Sequence, residues 1–330
     1  ALYYRKIGND VEFILAFVDD CLLITRDFNR LVKELEGLFA LKIVTKPEDE
    51  KYNYIGFNIS STIGKNNSTT SIEINKRDYM QKLKHEIDQD PKMQAILSKF
   101  KSYNSKTPDS PGFSHPEFKN AEKELANYSE KEIKDRVKML QIMGGKMAYA
   151  VYNTRPDLIF NIQSLSKYYG TPVDEIFLHM KKHLMFIEKT QKDAIKIFPR
   201  KDATESKIYF RLITDASRAM DLKARDQLGI FVSYKNLGPI QFQSRTFKGR
   251  ATSPNEIELE AIAHGMSQIN WFSNIIEDIY GYRPQTKIFT DNKGAIAFLH
   301  AMGVTKNNKG IRKGLFDLRY EFNKDSKGEF

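Results

Sequence analysis

The sequence contains one cysteine, Cys21, and one tryptophan among its 330 residues. A single cysteine excludes an intramolecular disulfide framework and a cysteine-rich zinc site, and it fits a reducing compartment. No apolar run approaches the roughly 20 residues that a membrane-spanning helix needs. What remains is the composition of an ordinary globular chain, with 41% hydrophobic and 28% charged residues. Its length suffices for two or three compact units.

Acidic residues are the minority among the charges. The chain has 52 Lys and Arg against 42 Asp and Glu, which gives a formal net charge of +10 and a pI of about 9.3. This excess favours a polyanionic partner, with nucleic acid first and a membrane surface second. Charge alone does not decide the question, because many basic proteins bind no nucleic acid.

The first hundred residues alternate strand and helix patterns. Two β-branched and aromatic runs predict a hairpin over residues 11–25. Helical spacing predicts a helix over residues 28–41, with Asp27 as its N-cap. The segment "YIGFNISS" is typical of a strand, and "TSIEINKRDYMQKLKHEI" of a strand that leads into an amphipathic helix.

A stretch rich in Pro, Ser, Gly and Asn, residues 103–120, predicts a long tether. Helical patterns follow it, break at Arg155-Pro156 and then continue, which predicts a block of about three helices. The polar segment "RKDATESK" separates this block from three predicted strands joined by short turns. A long helix from Asn255 to about Ile279, the strand "TKIFTDN" and a helix from Lys293 complete the pattern.

Three acids of the last section stand at the ends of predicted elements. Asp215 ends the strand "LITDAS", Asp291 ends "IFTDN", and Glu258 lies near the start of the long helix. Acids from three elements can meet at one end of a sheet, where they repel each other unless cations compensate. Mg²⁺ prefers such oxygen ligands, and paired metal ions support phosphodiester hydrolysis. The pattern therefore favours metal-dependent cleavage of a nucleic-acid strand.

Each of these acids also has a simpler interpretation. Aspartates such as Asp215 and Asp291 are common in turns, and a helix acid is usually solvated. Glu256 and Glu260 are further candidates on the same helix. Glu258 is favoured among the three, because a helix that buries its apolar stripe leaves this position near the sheet.

The predicted hairpin "FILAFVDDCLLI" carries Asp19 and Asp20 at its turn. Two carboxylates that project from a packed hairpin can hold metal ions at the 3′ end of a primer. The alternative is a polar turn without catalytic meaning, since aspartate is a favoured turn residue.

Taken together, these segments resemble the Pol region of copia-type LTR retrotransposons. "FVDD" is similar to the tyrosine-x-Asp-Asp motif of reverse transcriptases, with Phe17 in the aromatic position, and "YIGFNI" resembles the Leu-Gly segment that follows it. "NKRDYMQKLKHEI" resembles the thumb helix, and "TRPDLIFNIQSLSKYYGTP" the connection block. "TDAS", "SPNEIELEAI" and "TDNKGAI" resemble successive blocks of the RNase H domain. Each motif is weak alone, but their shared order over nearly the whole chain is specific.

The resemblance implies a multidomain chain of mixed α+β and α/β class. Residues 1–102 would be the rear of a reverse-transcriptase palm with its thumb. Residues 103–204 would be the tether and a helical connection region. Residues 205–330 would be an RNase H-like mixed sheet with flanking helices, incomplete at its C-terminal end.

The resemblance also implies roles for the acids. Asp19 and Asp20 match polymerase metal positions, and a second set, Asp215, Glu258 and Asp291, matches the catalytic acids of RNase H, with Mg²⁺ or Mn²⁺ as the cofactor. Asn255 falls where related RNases H place a polar residue on the minor groove of the hybrid.

The partners implied in this way are an RNA/DNA hybrid, a primer-template and the rest of a Pol polyprotein, with no membrane. The implied location is the cytoplasm, in a virus-like particle, with the nucleus as the alternative.

Two parts of the family pattern have no counterpart in the sequence. A further polymerase Asp and the fingers would precede "FVDD", and a last RNase H Asp would follow "FDLRYEF". We therefore expect a fragment that does not polymerise alone and has weak RNase H activity, supported by Mn²⁺. The alternatives are a decayed or co-opted copy that binds nucleic acid without catalysis, and a chain that does not fold stably.

Overall fold

The computed structural model describes residues 1–8, 10–46, 49, 51–63, 69–101, 120–198, 209–218, 225–235, 237–249, 251–301 and 315. The strands are β1 (Leu2–Ile7), β2 (Asp10–Phe17), β3 (Asp20–Ile24), β4 (Lys51–Tyr54), β5 (Phe57–Ile63), β6 (Thr69–Asn75), β7 (Ile195–Ile197), β8 (Tyr209–Ser217), β9 (Gln227–Tyr234), β10 (Pro239–Thr246) and β11 (Gln285–Phe289). The helices are α1 (Phe28–Glu36), α2 (Arg77–Gln89), α3 (Pro91–Leu97), α4 (Ala121–Leu125), α5 (Glu130–Thr154), α6 (Ile159–Ser166), α7 (Asp174–Lys189), α8 (Pro254–Tyr280) and α9 (Lys293–His300). A single 3₁₀ turn spans Pro156–Leu158.

The described strands form three sheets. β1, β2 and β3 form an antiparallel meander, and β4 to β7 form a second antiparallel sheet in sequence order. The third sheet has the order β10-β9-β8-β11, in which β8 is antiparallel to β9 and parallel to β11. The protein is therefore a mixed α/β molecule, and its third sheet is compatible with an RNase H-like domain.

Two strained turns shape the first part of the chain. Val18 follows β2 with φ of 56°, and Ile55 follows β4 with φ of 51°, ahead of Gly56 at 72°. β-branched residues rarely adopt this left-handed region, and it costs about 1–2 kcal/mol per residue. The Tyr54 hydroxyl donates a hydrogen bond of 2.8 Å to the carbonyl of Leu15, which ties the second hairpin to the first.

A buried acid joins the first sheet to α1. Glu12 is 5% exposed, accepts a hydrogen bond from Thr25 and forms ion pairs with Arg5 and Arg30. Burial raises the pKa of Glu12, but the hydrogen bonds from Thr25 and Arg5 and the charge of Arg30 outweigh burial and lower it. Glu12 is thus ionised at neutral pH and holds the meander against the helix.

The largest apolar cluster among the described residues lies in the helical block formed by α2, α3, α5, α6 and α7. Its centre includes Leu140 and Ile162, which are fully excluded from solvent. Arg155 fixes the break between α5 and α6. Its guanidinium lies 2.9 and 2.6 Å from the two carboxylate oxygens of Asp157 and donates a further hydrogen bond to the Thr190 hydroxyl. The segment "RPD" therefore clamps the start of α6 to the end of α7.

A glycine lets α8 lie close to the third sheet. A Cβ atom at Gly265 would come within 2.3 Å of the Leu212 side chain in β8. At the N-terminus of α8, the Ser253 hydroxyl accepts a hydrogen bond of 3.2 Å from the backbone N–H of Glu256, and Pro254 occupies the first turn. The helix therefore begins beside the carboxyl end of β8 and continues along the sheet.

Most of the predicted elements are confirmed, including the first hairpin, α2, the helical block, α8 and the strands of the third sheet. Three details were wrong. The helix that begins at residue 28 ends at Glu36 rather than residue 41, and "YIGFNISS" contains the turn at Ile55 and Gly56 instead of one strand. Asp291 lies two residues beyond the end of β11. β1, β4, β7, α3 and α4 had no predicted counterpart.

The predicted domain boundaries stay predictions, because most of the tether and the segment "RKDATESK" lie outside the described residues. Within the described part of the chain, no helix has the length and apolar character needed to cross a membrane.

Candidate metal centre

Three carboxylates meet at one end of the third sheet. Asp215 lies in β8, Glu258 lies in the second turn of α8, and Asp291 follows β11. Each offers an oxygen atom within 4.8 Å of the others. Because β8 and β11 are parallel neighbours, their carboxyl ends lie at the same edge of the sheet. Within the described ranges, this is the one group of three or more potential metal ligands.

Glu258 is the buried member of this group. It is 5% exposed, whereas Asp215 and Asp291 are exposed. One Glu258 oxygen, Oε1, accepts a hydrogen bond of 3.1 Å from the backbone N–H of Ala216. The other, Oε2, accepts one of 3.5 Å from the hydroxyl of Thr290. The carboxylate is therefore held between β8 and the segment that follows β11.

The surroundings of Glu258 change its acidity. Burial is the main cause that raises the pKa of Glu258 to about 6, and the charges of Asp215 and Asp291 add to the increase. The hydrogen bonds from Ala216 and Thr290 oppose it. A carboxylate with these neighbours is stabilised in its ionised form by a bound cation.

Glu256, the other candidate acid at the start of α8, has a different role. It is fully buried, and its carboxylate accepts hydrogen bonds of 2.6 and 2.8 Å from the backbone N–H and the hydroxyl of Thr252. These bonds hold the chain at the start of α8. Neither Glu256 nor Glu260 belongs to the acidic group, so the choice of Glu258 by helical periodicity agrees with the geometry.

Asn255 lies beside the acidic group, one helical turn before Glu258. Its side chain rests against Gly294 in the first turn of α9, where a Cβ atom would come within 2.4 Å of it. The glycine thus makes room for the amide next to the acids. Contact between Asn255 and nucleic acid stays a prediction.

The donor set fits a hard divalent cation. Three carboxylates from three elements supply oxygen ligands only, the type that Mg²⁺ and Mn²⁺ prefer. Burial is the main cause of the raised pKa of Glu258, and the charges of Asp215 and Asp291 add to it; a bound cation would offset this repulsion.

Comparison with known proteins gives the family context. The retrovirus-related Pol polyprotein from transposon RE1 of Arabidopsis thaliana is 24% identical over 297 residues, which make up 89% of this chain and 18% of the relative. The Gag-Pol polyprotein of transposon Ty1-DR5 from Saccharomyces cerevisiae is 24% identical over 321 residues, 94% of this chain and 17% of the relative. Over about nine tenths of its length, the chain is similar to retrotransposon Pol polyproteins. The resemblance noted from the motifs is thereby confirmed.

The chain spans less than a fifth of the length of the curated relatives it matches. A second Arabidopsis thaliana polyprotein, from transposon RE2, shows the same 24% identity over 298 residues. No family model matches the chain. No solved structure matches it either.

The two acids of the first hairpin have a simpler environment. Asp19 lies in the turn after Val18, Asp20 begins β3 opposite Phe17, and both acids are exposed. Within the part of the chain that the structure describes, neither carboxylate takes part in an ion pair or belongs to a group of three acids. The structure therefore brings two acids to this turn and three to the third sheet.

Sequence reasoning missed the residues that support the acids. Thr290 donates to Glu258 and also accepts a hydrogen bond of 3.2 Å from the backbone N–H of Asn292. Its only signal in the sequence is the repeated Thr-Asp pair at Thr214-Asp215 and Thr290-Asp291. Gly265 and Gly294, which permit the close packing of α8, carry no signal that separates them from other helical glycines.

Proposed function

We propose that this chain is part of a reverse transcriptase/ribonuclease H, and that Asp215, Glu258 and Asp291 form the centre that cleaves RNA in an RNA/DNA hybrid. The observation that carries the proposal is the convergence of these carboxylates within 4.8 Å from three separate elements. The homology with Pol polyproteins and the mixed order of the third sheet support it.

The cofactor we propose is Mg²⁺ or Mn²⁺, held by the three carboxylates. When bound, such ions offset charge on the phosphodiester and supply an activated water. The protein itself positions Glu258, because Ala216 and Thr290 each donate to one of its oxygens. With a pKa of about 6, Glu258 is mostly ionised at neutral pH and ready to act as a ligand.

The proposed substrate is an RNA/DNA hybrid. The net charge of +10 suits contacts with phosphates, which should weaken as salt rises. We propose that Asn255 contacts the minor groove of the hybrid, since its amide lies one turn from Glu258 at the same edge of the sheet. The rest of a Pol polyprotein is the proposed protein partner.

For Asp19 and Asp20 we propose the role of polymerase metal ligands in the parent enzyme. No third acid joins them among the described residues, so we expect no nucleotide addition by this chain alone. Addition by the purified chain that disappears in the Asp20→Asn variant would overturn this expectation.

The second candidate function is nucleic-acid binding without catalysis. The net charge of +10 favours it, because contacts between basic side chains and phosphates need no catalytic metal.

An end-labelled RNA/DNA hybrid distinguishes the two candidates. The purified chain is incubated with the hybrid in Mg²⁺ and in Mn²⁺, beside Asp215→Asn and the matched control Asp278→Asn, which changes an exposed acid near the far end of α8. We expect cleavage of the RNA strand by the wild type and the control, and none by Asp215→Asn. Hybrid binding without cleavage in either metal would contradict catalysis and leave the binding role.

A further inference from the structure

A buried threonine, Thr214, stands next to the acidic group and has no partner for its hydroxyl among the described residues. It lies in β8 directly before Asp215 and is 3% exposed. No described residue forms a hydrogen bond with its Oγ1 atom, which is excluded from solvent. A buried hydroxyl without a hydrogen bond costs free energy, and folded proteins keep few such groups. The place of this one beside three carboxylates therefore calls for a functional explanation.

The side chain of Thr214 points toward α8. Side chains alternate along a strand, so Thr214 lies on the same face of β8 as Leu212, two residues earlier. Leu212 packs in the apolar core that α8 shares with the third sheet, where Gly265 lies against it. Ala216, two residues after Thr214, donates its backbone N–H to Glu258. The Thr214 hydroxyl therefore lies under the first turns of α8, on the side of the sheet that Glu258 occupies.

Thr290 occupies the equivalent position beside β11. Ile213 and Phe289 are register partners in the parallel pair of strands, and each threonine is the next residue of its segment. The Thr290 hydroxyl donates to Oε2 of Glu258, but at 3.5 Å this hydrogen bond is long. A carboxylate oxygen can accept more than one hydrogen bond. Oε2 thus has one weak donor, and a second hydroxyl of the same kind lies on the neighbouring strand.

We propose that the Thr214 hydroxyl donates a hydrogen bond to Glu258 when the divalent cation is bound, so that Thr214 is a positioning residue for this metal ligand. The inference rests on the proposed function, because it concerns the same acidic group. In the metal-free protein, the unpaired hydroxyl costs free energy. Its pairing in the loaded protein removes that cost and adds a hydrogen bond to a charged acceptor, and both effects favour metal binding.

The first test uses two variants that separate the hydroxyl from the shape of the side chain. Thr214→Val keeps the shape and removes the hydroxyl, whereas Thr214→Ser keeps the hydroxyl. Mn²⁺ binding by the full chain is measured by titration calorimetry at pH 7.5, without nucleic acid. Thr214→Val is expected to weaken Mn²⁺ affinity about 10-fold or more, the range for residues that orient metal ligands, and Thr214→Ser should restore most of it.

Thr154→Val is the matched control. Thr154 of α5 is also 3% exposed, but its hydroxyl donates a hydrogen bond of 2.9 Å to the carbonyl of Ala150. The same substitution there removes a paired hydroxyl from the helical block, which supplies none of the three acids. The Mn²⁺ affinity of Thr154→Val should equal that of the wild type.

Urea denaturation in EDTA gives a second measurement that needs neither metal nor activity. Removal of an unpaired buried hydroxyl should raise the urea midpoint in Thr214→Val, whereas loss of a paired one should lower it in Thr154→Val. A higher metal-free midpoint together with weaker Mn²⁺ binding is the pattern of a group that serves function at the expense of stability. A midpoint of Thr214→Val that stays the same or falls would show that the hydroxyl is already paired in the metal-free fold, and would overturn the inference.

The outcomes separate this inference from the proposed function. Cleavage of the hybrid by the wild type, with unchanged Mn²⁺ affinity in Thr214→Val, would end the inference and leave the RNase H proposal intact. Mn²⁺ affinity that falls in Thr214→Val and recovers in Thr214→Ser, in a chain that cleaves no hybrid, would do the reverse. Equal losses in the Val and Ser variants would trace the effect to packing and overturn the inference. A wild type that binds no Mn²⁺ would contradict both.

Discussion

The hairpin acids and the acids of the third sheet form two contrasting regions of the molecule. Asp19 and Asp20 are adjacent in sequence, exposed, and carried by one turn. Asp215, Glu258 and Asp291 are separated by 43 and 33 positions in the chain (258 minus 215, and 291 minus 258), yet their oxygens lie within 4.8 Å. Only the second region contains a buried acid with a raised pKa.

The difference shows that adjacency in sequence does not by itself create a metal site. Consecutive residues at a turn remain surrounded by water, which screens their charges and supports both carboxylates without a cation. Acids that come from different elements and meet in a partly buried place repel each other more strongly. A bound cation then removes this electrostatic penalty. The first region is expected to bind metal weakly in this chain, and the second tightly.

The largest expected effect is on metal affinity. Asp291→Asn removes one of three ligands and should weaken Mn²⁺ binding at least about 100-fold, measured by titration calorimetry at pH 7.5. Asp20→Asn should leave that affinity within about twofold. An equal loss of Mn²⁺ affinity in the two variants would contradict the comparison, because the acids of both regions would then contribute to Mn²⁺ binding.

The next effect concerns pH. The pKa of Glu258 is about 6, so a proton competes with the metal ion below that pH. Apparent Mn²⁺ affinity should fall about fivefold between pH 6 and pH 5, because one proton competes with each bound ion. Glu258→Gln should bind Mn²⁺ more weakly at pH 7 and show a flatter pH profile. A wild-type profile that stays flat down to pH 5 would argue against Glu258 as a ligand.

A smaller effect is expected on the stability of the metal-free protein. The pKa of Glu258 is about 6 in the folded protein, above its usual value of 4.5, so its ionisation destabilises the fold as pH rises from 4.5 through 6. At pH 7.5 in EDTA, Glu258→Gln should raise the free energy of unfolding by about 1 kcal/mol, and the gain should disappear near pH 4. Urea denaturation measures both values. Asp20→Asn, at an exposed position, should show no comparable gain.

The smallest effect concerns the strained hairpin turn. Val18→Gly removes a β-branched residue from φ of 56°, which gains about 1–2 kcal/mol, while the added freedom of glycine in the unfolded chain costs about 0.5–1 kcal/mol. A net stabilisation of about 0.5 kcal/mol is expected by urea denaturation. Val11→Gly, within strand β2, should destabilise instead. Destabilisation by Val18→Gly would show that the side chain makes a contact worth more than the strain.

Local sequence patterns predicted those helices and strands that depend mainly on preferences between neighbouring residues. The apolar periodicity of α2, α5 and α8 gave these helices, and alternating β-branched runs gave the strands. The turn at Ile55 was missed because local preference opposes a left-handed β-branched residue. In the structure, other segments contact this turn, and the Tyr149 hydroxyl donates a hydrogen bond to the Ile55 carbonyl.

The acidic group could be predicted in part for the same reason. The sequence predicted Asp215 and Asp291 at strand ends, and helical periodicity favoured Glu258 over Glu256. Thr290 was not found, because its role depends on reaching a helix 32 residues earlier in the chain.

The sequence by itself determined which residue types are present, most of the helices and strands, and that three acids stand near the ends of predicted elements. These properties depend on neighbours a few positions away. Only the tertiary structure decided that three carboxylates share one site, that Glu258 is buried with a raised pKa, and that Thr214 is buried beside the acids. Coulomb repulsion and desolvation depend on distances in space, and those distances join residues that are far apart in the chain.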